Sequence, residues 1–451
     1  MLRPGRLALA LAPVGAVLAL ASPIASAGPA PSKLLKGPYL TGLSDTGADV
    51  RFELDAPGPA TVEVTATSAG PDASAPRRFP DANVTANHLV HVTGLEASKT
   101  YAYTVSLGGP VIGRGSITTG PDPMSGAPLT FAVYGDCRSD PATHDALVHA
   151  IMAVPGDFVV NTGDVVADGG NASDWQSFFA AEEPLIRDRP LLLGIGNHEL
   201  YDDESGANFA RYFGFPDATG ALKPYGTTRI GDARFFFLNG MHDWTSGEER
   251  AWLDRELTKA DTEPGLVWRI AVVHHSPWSA GPHGPNAKLV AGHVPELLAA
   301  HKVDLLLAGH DHIYERGDGN GVKYIISGGS GAPLYKITKP MAQTRKAEAS
   351  YHFVEVTLSG NQLKSVAHRL DGSVLETCGF TKGKSWDCDP PPPAPASPTP
   401  SPTSGGAQPS SSSWRCAVAS PGAARGGVAF VGLAAVAVGA MVRRRRSQEN
   451  G

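Results

Sequence analysis

Basic charge is scarce in this chain of 451 residues: 38 Lys and Arg face 44 Asp and Glu, a formal net charge of −6. That balance offers no positive field for a phosphate backbone, which excludes nucleic acid as a partner. Cysteine is scarce too, with only Cys137, Cys378, Cys388 and Cys416. None lies near Ala27, which argues against an N-terminal lipoprotein. Cys378 and Cys388 either close a short disulfide loop in an oxidising compartment or remain two structural thiols. The apolar stretch at 426–442 counts 17 weakly hydrophobic residues, marginal against the roughly 20 that span a bilayer.

What is present suits a globular protein, with 42% hydrophobic and 18% charged residues. The length exceeds the roughly 250 residues at which single cores split, so two folded units with tails are expected. Arg3 and Arg6 precede an apolar stretch from Leu7 to Leu20, and Ala25-Ser26-Ala27 follows. This is the layout of a signal peptide over 1–27, the alternative being an uncleaved anchor. At the other end, 389–415 is a Pro/Ser/Thr spacer that cannot bury a core. Over 416–451, Cys416, the apolar stretch and Arg443 to Arg446 follow in order. The tail resembles the Cys–apolar helix–Arg sorting tags of bacterial surface proteins, the alternative being a plain membrane anchor. Either reading implies export, with the protein secreted or held at a membrane or cell surface through this tail.

Between the tails the hydrophobic period changes once. Over 37–120, DVRFEL, ATVEVTAT, HLVHVTGL and TYAYTVSL alternate with turn residues, which predicts a small β-sandwich. The linker GPDPMSGAP (120–128) marks a boundary by its turn chemistry. From Leu129 to about residue 380, apolar runs alternate with helical patterns at 144–153 and 248–260, which predicts βαβ units. The pieces YHFVEVTL and QLKSVAHRL complete the sheet of this second unit.

Fifteen histidines are present, nine of them between His198 and His312. Five apolar runs, LTFAVYGD, DFVVNTGD, LLLGIGNH, RIAVVHHS and VDLLLAGH, end in metal-capable side chains: Asp136, Asp164, Asn197, His275 and His310. In open α/β sheets the loops at the carboxyl ends of strands form the ligand crevice. One such ending means nothing; five in order specify chemistry. Two cations some 3.5–4 Å apart polarise a phosphoryl group and acidify water. They call for carboxylates that bridge and balance charge, and for neutral imidazoles.

The ordered motifs GD (135–136), GD (163–164), GNHE (196–199), HHS (274–276) and GHDH (309–312) resemble the calcineurin-like metallophosphoesterase superfamily. GHDHIYER (309–316), with a preceding fibronectin type III-like stretch, places the resemblance in the purple acid phosphatase-like branch, over roughly 37–380. It implies an α+β or α/β fold in which an N-terminal β-sandwich precedes a metallophosphoesterase β-sandwich flanked by helices. It also implies two metal ions (Fe, Mn or Zn), with Asp164 bridging them. Asp136 and His312 would bind the first, and Asn197, His275 and His310 the second. His275 is preferred to His274 because the family's ligand usually stands in His-Ser-Pro.

The resemblance further implies that His198 orients phosphate and protonates the leaving oxygen, and that His283 belongs to a substrate loop. The sequence departs from the family where Arg138 replaces a histidine and Ala167 a tyrosine. The first metal thus loses a protein ligand, the alternatives being that water fills the gap or that Arg138 contacts substrate phosphate, and the protein should not be purple. The implied reaction is hydrolysis of a small phosphomonoester by in-line attack of a metal-bound hydroxide. The alternatives are a phosphodiesterase or nucleotidase, and a catalytically silent surface-binding protein.

Overall fold

Two facing sheets account for the continuous apolar runs. In the computed structural model, which describes residues 33–67 and 75–389, seven strands form each sheet. From edge to edge the first holds Asp387–Cys388, Val374–Thr381, Gln362–Arg369, His352–Ser359, Leu129–Tyr134, Phe158–Asn161 and Leu191–Leu193. Its last three strands run parallel, while Gln362–Arg369, His352–Ser359 and Leu129–Tyr134 pair antiparallel. The second holds Gly226–Ile230, Ala233–Leu238, Trp268–His275, Leu305–Gly309, Val322–Ser327, Tyr314–Gly319 and Thr344–Glu348. Its four strands from Ala233 to Ser327 are parallel and its edges antiparallel.

Alternate residues of each strand face opposite layers. Phe131, Val133, Phe158 and Val160 meet Phe235, Phe237, Ile270, Val272, Leu305 and Leu307 between the sheets. Ala132, Tyr134, Val159 and Leu193 face helices Pro141–Met152 and Ala172–Ile186. Phe236, Leu238, Ala271, Val273 and Leu306 face Leu253 and Leu257 of helix Glu248–Asp261. Burial on both faces is why these strands read as unbroken apolar runs rather than alternating ones. The outcome is the α+β sandwich flanked by helices that the sequence led us to expect.

Local chemistry sets the helix ends. Asp140 accepts hydrogen bonds from the amides of Ala142 and Thr143, and Pro141 opens the helix, an N-cap with proline at the first helical position. The expected helix at 248–260 spans Glu248–Asp261 and buries Leu253, Leu257 and Ala260, with Trp252 half-buried.

Before the linker, strands Leu34–Ser44, Gly47–Ala66, Arg77–Val92, Thr100–Ser106 and Val111–Thr118 pair antiparallel in one five-stranded sheet. DVRFEL and ATVEVTAT up to Ala66 lie on the single long strand Gly47–Ala66, whose pairing with Arg77–Val92 is interrupted between Glu53 and Ala60. Pro57 and Gly58 sit at that break, where proline has no amide to donate and glycine no side chain to pack. Arg51 fastens this sheet to the rest, donating to the carbonyls of Tyr212 at 3.0 Å and Gly214 at 2.9 Å. Tyr103 donates to the Arg187 carbonyl at 2.9 Å. The described residues cluster as one compact unit.

Cys378 and Cys388 form a disulfide across paired strands. The signal-peptide stretch 1–27, residues 390–415 of the spacer and the tail 416–451 lie outside the described residues. Among the described residues no helix is long and apolar enough to cross a membrane.

Arg229 and Arg234 of the hairpin at the edge of the second sheet converge on Glu263, at 2.8 and 2.6 Å. Burial alone would raise the Glu263 carboxyl, but hydrogen bonds from Arg234 and Arg229 outweigh it and hold it low. Stability from a depressed carboxyl is present above its ordinary range, near pH 4–5, and is lost as pH falls through its lowered value. Glu263→Gln should therefore cost about 1–2 kcal/mol at pH 7, read as a lower urea midpoint. The gap between the variant and wild type should narrow below pH 4; an equal gap at both pH values contradicts the linkage.

Candidate metal centre

Asp136, Asp164, Asn197, His274 and His310 all stand at or just beyond the carboxyl ends of parallel strands, where such sheets leave a crevice. Asp136, Asp164 and His310 adopt left-handed backbone angles, with φ of 58°, 58° and 70°. Non-glycine residues in this region carry strain that is concentrated at functional sites. The glycines before them are required by closeness. Gly163 has φ of 113°, and a Cβ there would lie 2.7 Å from the Gly196 amide nitrogen. A Cβ on Gly309 would collide with the Asp136 carboxylate.

Three imidazoles are oriented from behind. A backbone carbonyl only accepts, so the ring nitrogen facing it carries the proton and the other nitrogen is left free. Nδ1 of His274 donates to Thr162 O at 3.0 Å, Nδ1 of His312 to Pro333 O at 2.6 Å, and Nδ1 of His198 to Ala167 O at 2.7 Å. Their free Nε2 atoms point inward. That of His274 lies 3.2 Å from Asp164 Oδ1, that of His312 3.5 Å from Asp136 Oδ1, and that of His198 3.7 Å from Asp164 Oδ2. Asp164, His274 and His310 offer ligand atoms within 4.8 Å of one another.

His275 was the residue expected in this cluster, and the structure corrects it. Successive side chains on a strand point to opposite faces. On Trp268–His275 it is His274 that turns fully buried toward the carboxylates. His275 instead donates through Nε2 to Gly284 O at 3.0 Å, and its ring packs 4.1 Å from that of His310. The remaining expected residues do converge. His310 Nδ1 is 3.3 Å from His274 Nε2, and the His283 ring is 4.4 Å from the His310 ring. Arg138 lies between the two carboxylate loops, with Nε 3.4 Å from Asp164 Oδ2 and Nη2 3.4 Å from His312 Nε2.

The donors suit cations. Asp136 Oδ1 and Asn197 Oδ1 are buried and, among the described residues, have no hydrogen-bond partner. Leaving a buried oxygen unpaired is costly unless a cation or donor faces it. Asn197 Nδ2 donates to the Tyr201 hydroxyl at 3.1 Å, which directs Oδ1 inward. Two carboxylates, an amide oxygen and imidazoles form a donor set for Zn, Mn or Fe.

Electrostatics follow the same geometry. Burial would lower His274, but Asp164 and Asp136 prevail and hold it up to about 9. A bound cation takes the place of that proton. Burial would raise Asp164, yet His274 and His198 hold it far below the carboxylate range. Burial, then the neighbouring His274 and His275, pushes His310 well down. Burial lowers His198.

Sequence reasoning missed four residues. Glu199 stood inside GNHE without a role, yet its carboxylate accepts from the amides of Asp164 (2.9 Å), Val165 (2.8 Å) and Gly196 (2.6 Å). Burial and then Asp164 push Glu199 up to about 7. His274 had been set aside. Tyr201 and Tyr335 carried no signal; the Tyr335 ring stacks on His312 at 4.0 Å.

The chain is similar to known proteins in sequence and in fold. The calcineurin-like phosphoesterase family matches residues 129–314. Probable purple acid phosphatase 20 of Arabidopsis thaliana is 28% identical over 206 residues, 43% of this chain and 48% of that protein. Probable inactive purple acid phosphatase 27 of the same plant is 25% identical over 255 residues, 48% of this chain and 41% of that protein. The chain thus spans about half the length of the curated relatives it matches. The solved purple acid phosphatase PPD1 from yellow lupin (Lupinus luteus) seeds shares the fold, with a TM-score of 0.65 and 19% identity over 76% of this chain and 74% of that one. Residues 129–314 thus match the calcineurin-like phosphoesterase family, and the chain is similar to purple acid phosphatases in sequence and in fold.

Proposed function

We propose that this chain is a metal-dependent hydrolase of phosphate esters, acting first on small phosphomonoesters. The observation that carries the reading is the pair of buried oxygens, Asp136 Oδ1 and Asn197 Oδ1, that lack a hydrogen-bond partner among the described residues, beside Asp164 and the inward-facing imidazoles. Asp136, Asp164, Asn197, His274, His310 and His312 would hold two ions of Fe, Mn or Zn. When bound, the ions supply Lewis acidity toward the phosphoryl oxygens and acidify water.

The chain's own groups supply the rest. The Arg138 guanidinium, 14% exposed, can pair with non-bridging phosphate oxygens. His198 keeps Nε2 free because Nδ1 is committed to Ala167 O, so it can hold the proton that the leaving oxygen takes. His283 and Tyr335 wall the site beside His310 and His312. Arg138 in place of a histidine ligand supports a second reading, a silent centre in a surface-binding protein, and one matched relative is named as inactive. We also propose export, on the pattern of residues 1–27, and surface attachment through 416–451. The strands before the linker, over 37–120, are proposed as a fibronectin type III-like unit.

Dialysis against a chelator should lower hydrolysis of p-nitrophenyl phosphate by at least about 100-fold, with recovery on adding Mn, Zn or Fe. Faster turnover of the bis(p-nitrophenyl) diester would reassign the substrate class. No hydrolysis of either ester with any of the three metals would favour the silent reading.

A further inference from the structure

A second cluster of metal-ligating side chains lies behind the centre. Cys137, His144 and Glu182 bring a sulfur, an imidazole nitrogen and a carboxylate oxygen within 4.8 Å of one another. All three are buried, at 2%, 4% and 0% exposure. They come from three elements: the loop after Leu129–Tyr134, helix Pro141–Met152 and helix Ala172–Ile186. His144 Nε2 lies 2.8 Å from Glu182 Oε1, which also accepts from the Tyr134 hydroxyl at 2.9 Å. Glu182 Oε2, in contrast, is buried and unpartnered among the described residues. A buried carboxylate normally has both oxygens satisfied, so a half-satisfied one points to a missing cation or donor.

We propose that Cys137, His144 and Glu182 bind a zinc ion of their own, separate from the phosphoesterase centre. Thiolate, imidazole and carboxylate together suit Zn, which accepts all three donor types in a tetrahedral site. Binding displaces the Cys137 thiol proton to solvent and leaves the metal's oxidation state unchanged. The Asn161 side-chain amide, whose Nδ2 lies 3.9 Å from Cys137 Sγ, is placed to stabilise the thiolate as an outer partner. A cavity of about 220 Å³, lined by Cys137, His144, Asp174 and Phe178 among others, gives an entry path. The site's effect is structural: it ties the strand end that carries Asp136 to the two helices covering the first sheet.

The test is elemental analysis of the full chain, wild type against Cys137→Ser and Asp164→Ala. Asp164→Ala should lose metal from the phosphoesterase centre and keep one zinc, while Cys137→Ser should contain one zinc fewer than wild type. The Asp164→Ala arm separates this site's failure from failure of the phosphoesterase reading. Wild-type zinc content in Cys137→Ser, or no zinc in Asp164→Ala, overturns the proposal. If Cys137→Ser does not fold, the cobalt-loaded Asp164→Ala chain decides. A sulfur-to-cobalt charge-transfer band in the near ultraviolet, lost on adding His144→Gln, supports the site, and no such band overturns it.

Discussion

His274→Ala should lower kcat/KM for a phosphomonoester by roughly 10³-fold, since a lost ligand forfeits several kcal/mol of transition-state charge stabilisation at 1.4 kcal/mol per decade. His275→Ala should cost no more than about tenfold, because that side chain supports the loop at Gly284 rather than the centre. The contrast rests on one hydrogen bond for each ring. His274 spends Nδ1 on Thr162 O and turns Nε2 to Asp164, whereas His275 spends Nε2 on Gly284 O. Steady-state kinetics with metal content measured on the same samples checks both variants. Equal losses in the two, or the larger loss in His275→Ala, would mean that the strand register places the wrong histidine inward.

The second large effect belongs to a residue that need not touch substrate. Glu199→Ala should destabilise the chain by at least about 3 kcal/mol, because it leaves several buried amides without an acceptor. Those amides belong to the loops bearing Asp164 and Asn197, so metal affinity and activity should fall together. Glu199→Gln keeps one acceptor oxygen but turns an NH2 toward the remaining donors. It should recover the Val165 side or the Asp164 and Gly196 side, not both. Chemical denaturation together with metal titration reads this out. If Glu199→Ala kept wild-type stability and metal affinity, the carboxylate would not be what joins the two loops.

The residues explain why part of this was legible in the sequence. Strands buried on both faces must be apolar throughout, so the runs before Asp136, Asp164, Asn197 and His310 were visible. Their crossover helices showed through the spacing of residues such as Leu253 and Leu257. Each polar residue stood alone at the end of its run, which fixed its place without knowledge of the neighbouring strand. His274 and His275 could not be separated that way. Adjacent histidines face opposite sides of a strand, and which side is inward depends on pairing with Ala233–Leu238 and Leu305–Gly309.

Glu199 was hidden for a different reason: its partners are backbone amides, which every sequence contains. The stacking of Tyr335 on His312 joins residues brought together only by the return of the chain along the second sheet. Orphaned oxygens on Asp136 and Asn197 are likewise invisible until the shell around them is complete. The Arg51 contacts that fasten the N-terminal sheet depend on carbonyls more than 150 positions away.

The most direct test is anomalous X-ray diffraction from crystals of the metal-loaded chain. The account predicts two peaks within coordinating distance of the Asp164 carboxylate. One should also be reached by Asp136 Oδ1 and His312, the other by Asn197 Oδ1, with His274 among the ligands. Well-ordered loops with no peak beside Asp164, or a metal held by His275 while His274 stays on Thr162 alone, would contradict it.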